Sequence, residues 1–299
     1  MNIFIINPVA GKIKAGKIKL AIEEVCSERL IPFAVEISEY PGHCTEIARS
    51  WCLKGVSRIC SVGGDGTINE IVNGMAGNSD DVVLSFIPCG SGNDFVKSLG
   101  YSSGLSIKQM IIASLTDVTR RADLCMVNNR YFINIASVGF DATVGATAKK
   151  FKKVPFLPGG ISYIVSVFIT LIVLAPYKIS MSIDNKIQID QNVTLVAVAN
   201  GKYYGGGVKA VPHADPFDGK FDVCVVDKIS RLNVIKFFPK YIKGTHGNMK
   251  MIKFYSGSNI RISSNRMIPL NVDGEINYTK EAVFDICKEK IRVAVGYDS

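Results

Sequence analysis

Hydrophobic and polar positions follow two regimes along the chain. From Asn2 to about Arg121, short apolar runs alternate with stretches in which apolar residues recur every three or four positions, the pattern of strands handing over to helices. Asn2 to Ile6, Phe33 to Ile37, Arg58 to Val62 and Val82 to Ile87 read as strands. A basic helix is predicted to about Arg29, a second from His43 to Leu53, and a third through Ile68, Ile71, Val72 and Met75. Strands and helices in this alternation predict an open parallel sheet.

After Arg121 the period changes. Leu195 to Ala199, Phe221 to Val226, Asn259 to Ile262 and Ile291 to Val295, punctuated by turns, predict an antiparallel sheet or sandwich. Helical patterns at Ala142 to Lys153, Ile161 to Leu174 and Leu232 to Tyr241 interrupt it. A boundary near Asp123 therefore divides the chain into 1–123 and 124–299, and 299 residues suffice for two cores.

The chemistry gathers where strands meet helices. The third strand ends in Gly63-Gly64-Asp65-Gly66, followed by Thr67 and Asn69. Glycines there let backbone amides approach an anion, and the helix that follows adds unpaired N–H groups and the positive end of its dipole. Phosphate is the expected guest, with Thr67 and Asn69 facing it; a tight turn without a ligand is the alternative. A second glycine turn, Pro88-Cys89-Gly90-Ser91-Gly92-Asn93-Asp94-Phe95, ends the next strand. Two such turns place polar groups along one edge of a parallel sheet, where ligands of open α/β folds bind.

Gly11 to Lys17 fits the first seven positions of a P-loop, but the eighth is Ile18. A P-loop needs a hydroxyl there to hold magnesium, so a P-loop NTPase is excluded. Asp215-Pro216-Phe217-Asp218-Gly219-Lys220 carries two carboxylates on a turn, either a magnesium site or solvated acids. Asn271-Val272-Asp273-Gly274-Glu275 ends an apolar strand and is also an ordinary hairpin signal. The glycine cluster from Gly201 to Gly207 permits close approach of another segment.

Composition narrows the class. Hydrophobic residues at 47% with 20% charged describe a globular protein, not a disordered one. The net charge of +9 suits anionic partners, yet no stretch interleaves aromatic and basic residues as a nucleic-acid platform does. The eight cysteines show no zinc spacing, and the N-terminus reads as a strand rather than a signal peptide, which predicts reduced thiols in the cytoplasm. Ile161 to Ala175 is an apolar run of fifteen after the basic Lys149 to Lys153, short of the roughly 20 residues of a membrane span. It reads as a buried helix or as a point of contact with a bilayer.

Taken in order, Asn7-Pro8-x-x-Gly11, the octet Gly63 to Glu70, Gly90-Ser91-Gly92-Asn93-Asp94-Phe95, Asp218-Gly219 and Asp273-Gly274-Glu275 resemble the bacterial soluble lipid kinases with a diacylglycerol-kinase catalytic domain. Sphingosine and ceramide kinases are more distant relatives. The resemblance implies a Rossmann-like nucleotide domain, a C-terminal β-sandwich-like domain whose last strand returns to the first, and an active site in the cleft between them. It implies ATP held by Gly63, Gly64, Asp65, Gly66, Thr67 and Asn69, with Asn7, Gly11, Lys12, Ser38 and Ser91 around it. It further implies Mg²⁺ at Asp218 with carbonyls of Asp215 and Lys220, Asp273 as proton acceptor with Glu275 close by, and Asp65 as a second candidate base. The implied reaction is transfer of the γ-phosphoryl group to a lipid hydroxyl, foremost that of diacylglycerol, at an anionic membrane surface. NAD kinases share the G-G-D-G-T turn, so a soluble acceptor is the alternative, and a nucleotide- or lipid-binding protein without turnover is another.

Overall fold

The computed structural model describes residues 1–11, 14–78, 81–101, 104–139 and 176–296. Lys12, the helical patterns at Ala142 to Lys153 and Ile161 to Leu174, and the apolar run to Ala175 lie outside the described residues.

In the first half, β1 (Asn2–Ile6), β2 (Phe33–Ile37), β3 (Arg58–Gly63) and β4 (Val83–Pro88) pair in parallel in the order β4-β3-β1-β2. The connections carry α1 (Ala15–Glu28), α2 (His43–Leu53) and α3 (Asp65–Met75), and α4 (Asp94–Ser98) and α5 (Ile107–Ser114) follow β4. Alternation along β1 settles which helix covers which face. Ile3 and Ile5 pack with Cys44 and Ile47 of α2 and with Ile68, Ile71 and Met75 of α3. Phe4 and Ile6 pack with Ile18 and Ile22 of α1 and Ile111 of α5. These four apolar side chains of β1 are at most 1% exposed, and burying each contributes about 1.5–3 kcal/mol. Burial on both faces is why the strand reads as an unbroken apolar run. With β2 on one side of β1 and β3 on the other, the strand order reverses at β1, and a crevice opens there at the C-terminal strand ends.

The second half is mostly antiparallel. It comprises β5 (Thr119–Val127), β6 (Arg130–Phe132), β7 (Ile135–Gly139), β8 (Tyr177–Ile183), β9 (Ile187–Ala199), β10 (Phe221–Asp227), β11 (Ile252–Gly257), β12 (Asn259–Val272) and β13 (Glu275–Ala294). Phe132 stacks on Phe221 at 5.9 Å and meets Phe284 edge-on at 6.4 Å in its core. A helix, α6 (Arg231–Lys243), lays Val234, Phe237 and Tyr241 over the other face of β9 and β10.

The 20-residue β13 ties the halves together. It pairs antiparallel with β12 and β5, and near its end Arg292 and Val293 run parallel to Val83 and Leu84 of β4. Among the described residues, thirteen strands therefore form one continuous sheet, and Ile291 and Val293 complete the core of the first half. Strands in the second half outrun their apolar signals. Leu195 to Ala199 is only the inner end of a 13-residue strand, whose outer positions, such as Ile187, Gln188 and Asp190, are exposed.

Candidate active site

The C-terminal ends of β1, β3 and β4 bring three loops together, and the two glycine turns touch through backbone alone. A Cβ on Gly90 would lie 2.5 Å from the Gly64 Cα, closer than any side chain tolerates. Cys89 and Gly90 donate their N–H groups to the Gly63 carbonyl at 2.8 and 3.2 Å. Gly11, at φ +77°, rests on the Cys89 carbonyl. Asn7 Nδ2 donates to Thr67 Oγ1 at 3.0 Å. Gly64, at the cap of α3, has no side chain to bond the first turn, so this helix start keeps N–H donors for an anion. Ser38 lies buried just past β2, and Ser91 is exposed in the second turn.

Asp65, the first residue of α3, aims its carboxylate at α4. Its Oδ1 accepts from the N–H groups of Asp94 and Phe95 at 2.7 and 3.3 Å. Burial, then the charges of Asp94 and Asp273, push its carboxyl up to about 6 against those donors. Asp94 in turn accepts the Gly206 N–H at 2.7 Å and pairs with Lys97 at 3.2 Å. Ser98 Oγ accepts the Lys202 N–H at 3.0 Å. The cluster from Gly201 to Gly207 thus admits two neighbours, α4 and Asn134, whose Nδ2 donates to the Tyr203 carbonyl at 2.9 Å.

Across the cleft, Asp273 and Gly274 form the two-residue turn between β12 and β13, with φ +45° and +92°. Positive φ at both positions is the geometry of a type I′ hairpin. The Asp273 carboxylate reaches back into the fold. Its Oδ1 accepts the Ile135 N–H at 3.0 Å, and its Oδ2 accepts the Ile133 N–H at 3.1 Å and Asn69 Nδ2 at 3.0 Å. Burial pushes the Asp273 carboxyl up, and the Ile133, Asn69 and Ile135 donors pull it down. Glu275 pairs with Arg130 at 2.8 Å, and Arg130 also donates to Asn69 Oδ1 at 3.3 Å. Thr67 and Asn69 therefore do not face one guest: the Thr67 hydroxyl meets Asn7, while the Asn69 amide spans Asp273 and Arg130. Beside this turn lies a pocket lined by Val127, Leu270, Val272 and Tyr278 together with the polar Asn128, Arg130, Asn277 and Thr279.

The turn from Asp215 to Lys220 is held from beneath by Asp123. This fully buried carboxylate accepts the Gly219 N–H at 2.7 Å and meets Lys290 Nζ at 2.6 Å, and its own N–H donates to the Pro216 carbonyl at 2.7 Å. Asp215 and Asp218 are exposed, and each accepts a backbone N–H two residues on. Among the described residues no three His, Cys, Asp or Glu side chains converge on a metal position. Any cation on this turn would rest on one carboxylate with carbonyls and water, an oxygen-only set of the kind magnesium accepts.

Residues 2–127 match the diacylglycerol kinase catalytic domain, and residues 134–295 match the YegS C-terminal NAD kinase beta sandwich-like domain. The chain belongs to the diacylglycerol-kinase family of lipid kinases. YtlR of Bacillus subtilis, which bears a lipid-kinase name, is 30% identical over 91% of this chain and 92% of its own length. The diacylglycerol kinase of the same organism is 30% identical over 78% of this chain and 76% of its own. A diacylglycerol kinase structure from Bacillus anthracis superimposes with a TM-score of 0.77 at 20% identity, covering 99% of this chain and 96% of that one. An NAD kinase from Archaeoglobus fulgidus in complex with ATP shares the fold more loosely, with a TM-score of 0.56 at 14% identity over 99% of this chain and 94% of that one.

The kinase relies on residues that pattern reading passed over. Asp94 lay inside a recognised motif without a role, and Asp123, Arg130 and Lys290 had none. For Asp123 a signal existed: it is the one acid within the apolar stretch Ala122 to Cys125, and a charge in a strand interior requires a partner. Arg130 and Lys290 carry no such mark, because long basic side chains on strands are ordinary at a surface.

Proposed function

We propose that this lipid kinase transfers the γ-phosphoryl group of ATP to the free hydroxyl of diacylglycerol, giving phosphatidic acid. The observation that carries the reading is the juxtaposition of a glycine-backbone anion cradle with a carboxylate turn contributed by the opposite half of the chain. The cradle at Gly63 to Thr67 and Gly90 to Ser91, flanked by Asn7, Gly11 and Ser38, supplies N–H donors and hydroxyls for phosphate oxygens. Asn69 links it to the acid turn through Asp273 at 3.0 Å. Phosphoryl transfer asks a protein mainly for alignment and charge neutralisation, and both ends of that alignment meet here.

The acid turn divides its labour. Asp273, expected as proton acceptor, already accepts from three N–H groups, which suits it to fixing the turn. Glu275 has a side chain 55% exposed, so it is the carboxylate within reach of an incoming lipid hydroxyl. Arg130, paired with Glu275 at 2.8 Å, fixes where that carboxylate stands at the edge of the turn. The pocket beside the turn, where Val127, Leu270 and Val272 meet Asn128, Asn277 and Thr279, offers both apolar and polar groups, as the glycerol end of the acceptor requires. The oxygen donors of Asp215, Asp218 and Lys220 fit Mg²⁺, which when bound contributes positive charge near the cleft.

The test is transfer of labelled γ-phosphate from ATP with Mg²⁺ into diacylglycerol, other lipid alcohols and NAD. Label in diacylglycerol supports the reading; label in another lipid alone corrects the acceptor; label in NAD alone overturns it.

A further inference from the structure

One long stretch of this protein carries basic residues and no acids. Between Asp227 and Asp273 there is no Asp or Glu, while nine Lys and Arg residues occur there: 228, 231, 236, 240, 243, 250, 253, 261 and 266. With thirty-five basic side chains in all, nine of them here, the rest of the chain holds twenty-six against twenty-six acidic ones. The stretch from Lys228 through β12 thus carries +9, while in the rest of the chain local basic clusters such as Lys12 to Lys19 and Lys149 to Lys153 are balanced by acids elsewhere.

Part of that charge is already paired. Lys253 meets Asp227 at 3.2 Å, Arg261 meets Glu281 at 2.9 Å, and Arg266 lies over the Tyr177 ring. Lys228, Lys236, Lys240, Lys243 and Lys250 are exposed and form no ion pair among the described residues. On α6 the helical repeat sorts them. Val234, Phe237 and Tyr241 face the core, and Leu232, Lys236, Pro239 and Lys243 fall on the opposite stripe. Leu232 is 75% exposed and Ile242 38% exposed beside these lysines. Lysines interspersed with exposed aliphatic residues match the anionic, apolar-cored surface of a bilayer better than nucleic acid, whose bases call for aromatic stacking.

The back of α6 leads to the active site. Tyr241 Oη lies 3.2 Å from Tyr204 Oη, and Lys209 N–H donates to the Ile242 carbonyl at 3.0 Å. The same loop reaches Asp94 through the Gly206 N–H at 2.7 Å, and Asp94 N–H binds Asp65 at 2.7 Å.

We propose that the outward face of α6, with Lys236, Lys240 and Lys243 around Leu232, is the docking surface through which the kinase meets an anionic lipid bilayer. The proposal rests on the lipid-acceptor reading above and names the face that brings the enzyme to its substrate. Each lysine near an anionic surface contributes about fivefold in binding, so reversing three is expected to weaken it at least about 100-fold.

The test compares the wild-type kinase with K236E/K240E/K243E in two assays. Sedimentation with phosphatidylglycerol–phosphatidylcholine vesicles reads binding without turnover. Phosphorylation of monomeric short-chain diacylglycerol below its micellar concentration reads turnover without a bilayer. The variant should lose vesicle binding and keep wild-type turnover on the monomeric lipid, and 0.5 M salt should release the wild type from vesicles. Vesicle binding equal to that of the wild type overturns the proposal, as does wild-type binding that is indifferent to phosphatidylglycerol content. Competition by duplex DNA with no vesicle binding in either protein would assign the face to nucleic acid instead. Failure of the acceptor reading looks different: no turnover of monomeric lipid by the wild type, whatever the sedimentation shows.

Discussion

Replacing Asp65 by Asn should stabilise this kinase at neutral pH. Burial and the neighbouring Asp94 charge raise the Asp65 carboxyl from 3.8 to about 6. Keeping it ionised at pH 7 therefore costs the folded state about 3 kcal/mol, at roughly 1.4 kcal/mol per pKa unit. The amide keeps an oxygen for the Asp94 and Phe95 N–H groups now bound at 2.7 and 3.3 Å. A net gain of about 1–3 kcal/mol is expected, the lower end reflecting weaker bonds to a neutral acceptor. The sign fixes the pH window. Between about 3.8 and 6 the folded protein holds a proton on Asp65 that the unfolded chain has released, so wild-type stability falls as pH rises through that range. The advantage of Asp65→Asn is thus full above pH 6 and vanishes below about pH 4. Urea unfolding of both proteins at pH 7.5 and pH 4.5, followed by circular dichroism, measures it. A variant less stable than the wild type at pH 7.5, or a difference independent of pH, would refute the claim that charge burial dominates at Asp65.

Glu275→Gln should lower turnover by about 10²–10⁴-fold while leaving the KM for ATP within a few-fold; steady-state kinetics read this, and unchanged turnover would return the proton-acceptor role to Asp273. Asp273→Asn presents an amide N–H₂ to donors now satisfied by a carboxylate, so a loss of about 1–3 kcal/mol is expected for each N–H left unpaired, seen as a lower Tm. Lys290→Met strips the ion pair from the buried Asp123 carboxylate; a destabilisation of about 2–4 kcal/mol is expected, discounted because the lysine is about a third exposed. Gly90→Ala drives a Cβ into Gly64, so the turns must separate and the KM for ATP should rise with little change in the apparent affinity for lipid.

Local pattern carried the first half far. Both faces of β1, β3 and β4 are buried, so their apolar runs stand out, and the glycine turns fall where parallel strands hand over to helices. The predicted span of α2, His43 to Leu53, coincides with the helix itself. The second half was less legible. Phe221 to Val226 matches β10 almost residue for residue, but Leu195 to Ala199, Asn259 to Ile262 and Ile291 to Val295 marked only parts of β9, β12 and β13, whose remaining positions alternate solvent and core and read as polar chain.

What the sequence determined by itself is therefore the inventory: two glycine turns, two Asp-Gly turns and the elements that bear them, all set by interactions a few residues apart. The tertiary structure decided how the inventory is wired. Asn69 and Asp273 are 204 residues apart and meet at 3.0 Å; Asp94 closes on Gly206 and Asp123 on Gly219. No local period encodes such pairings. They arise because a buried carboxylate must find N–H donors or a cation somewhere in the fold. The course of β13, crossing from the second half to pair with β4, is one of the long-range connections that join the two halves bearing those groups.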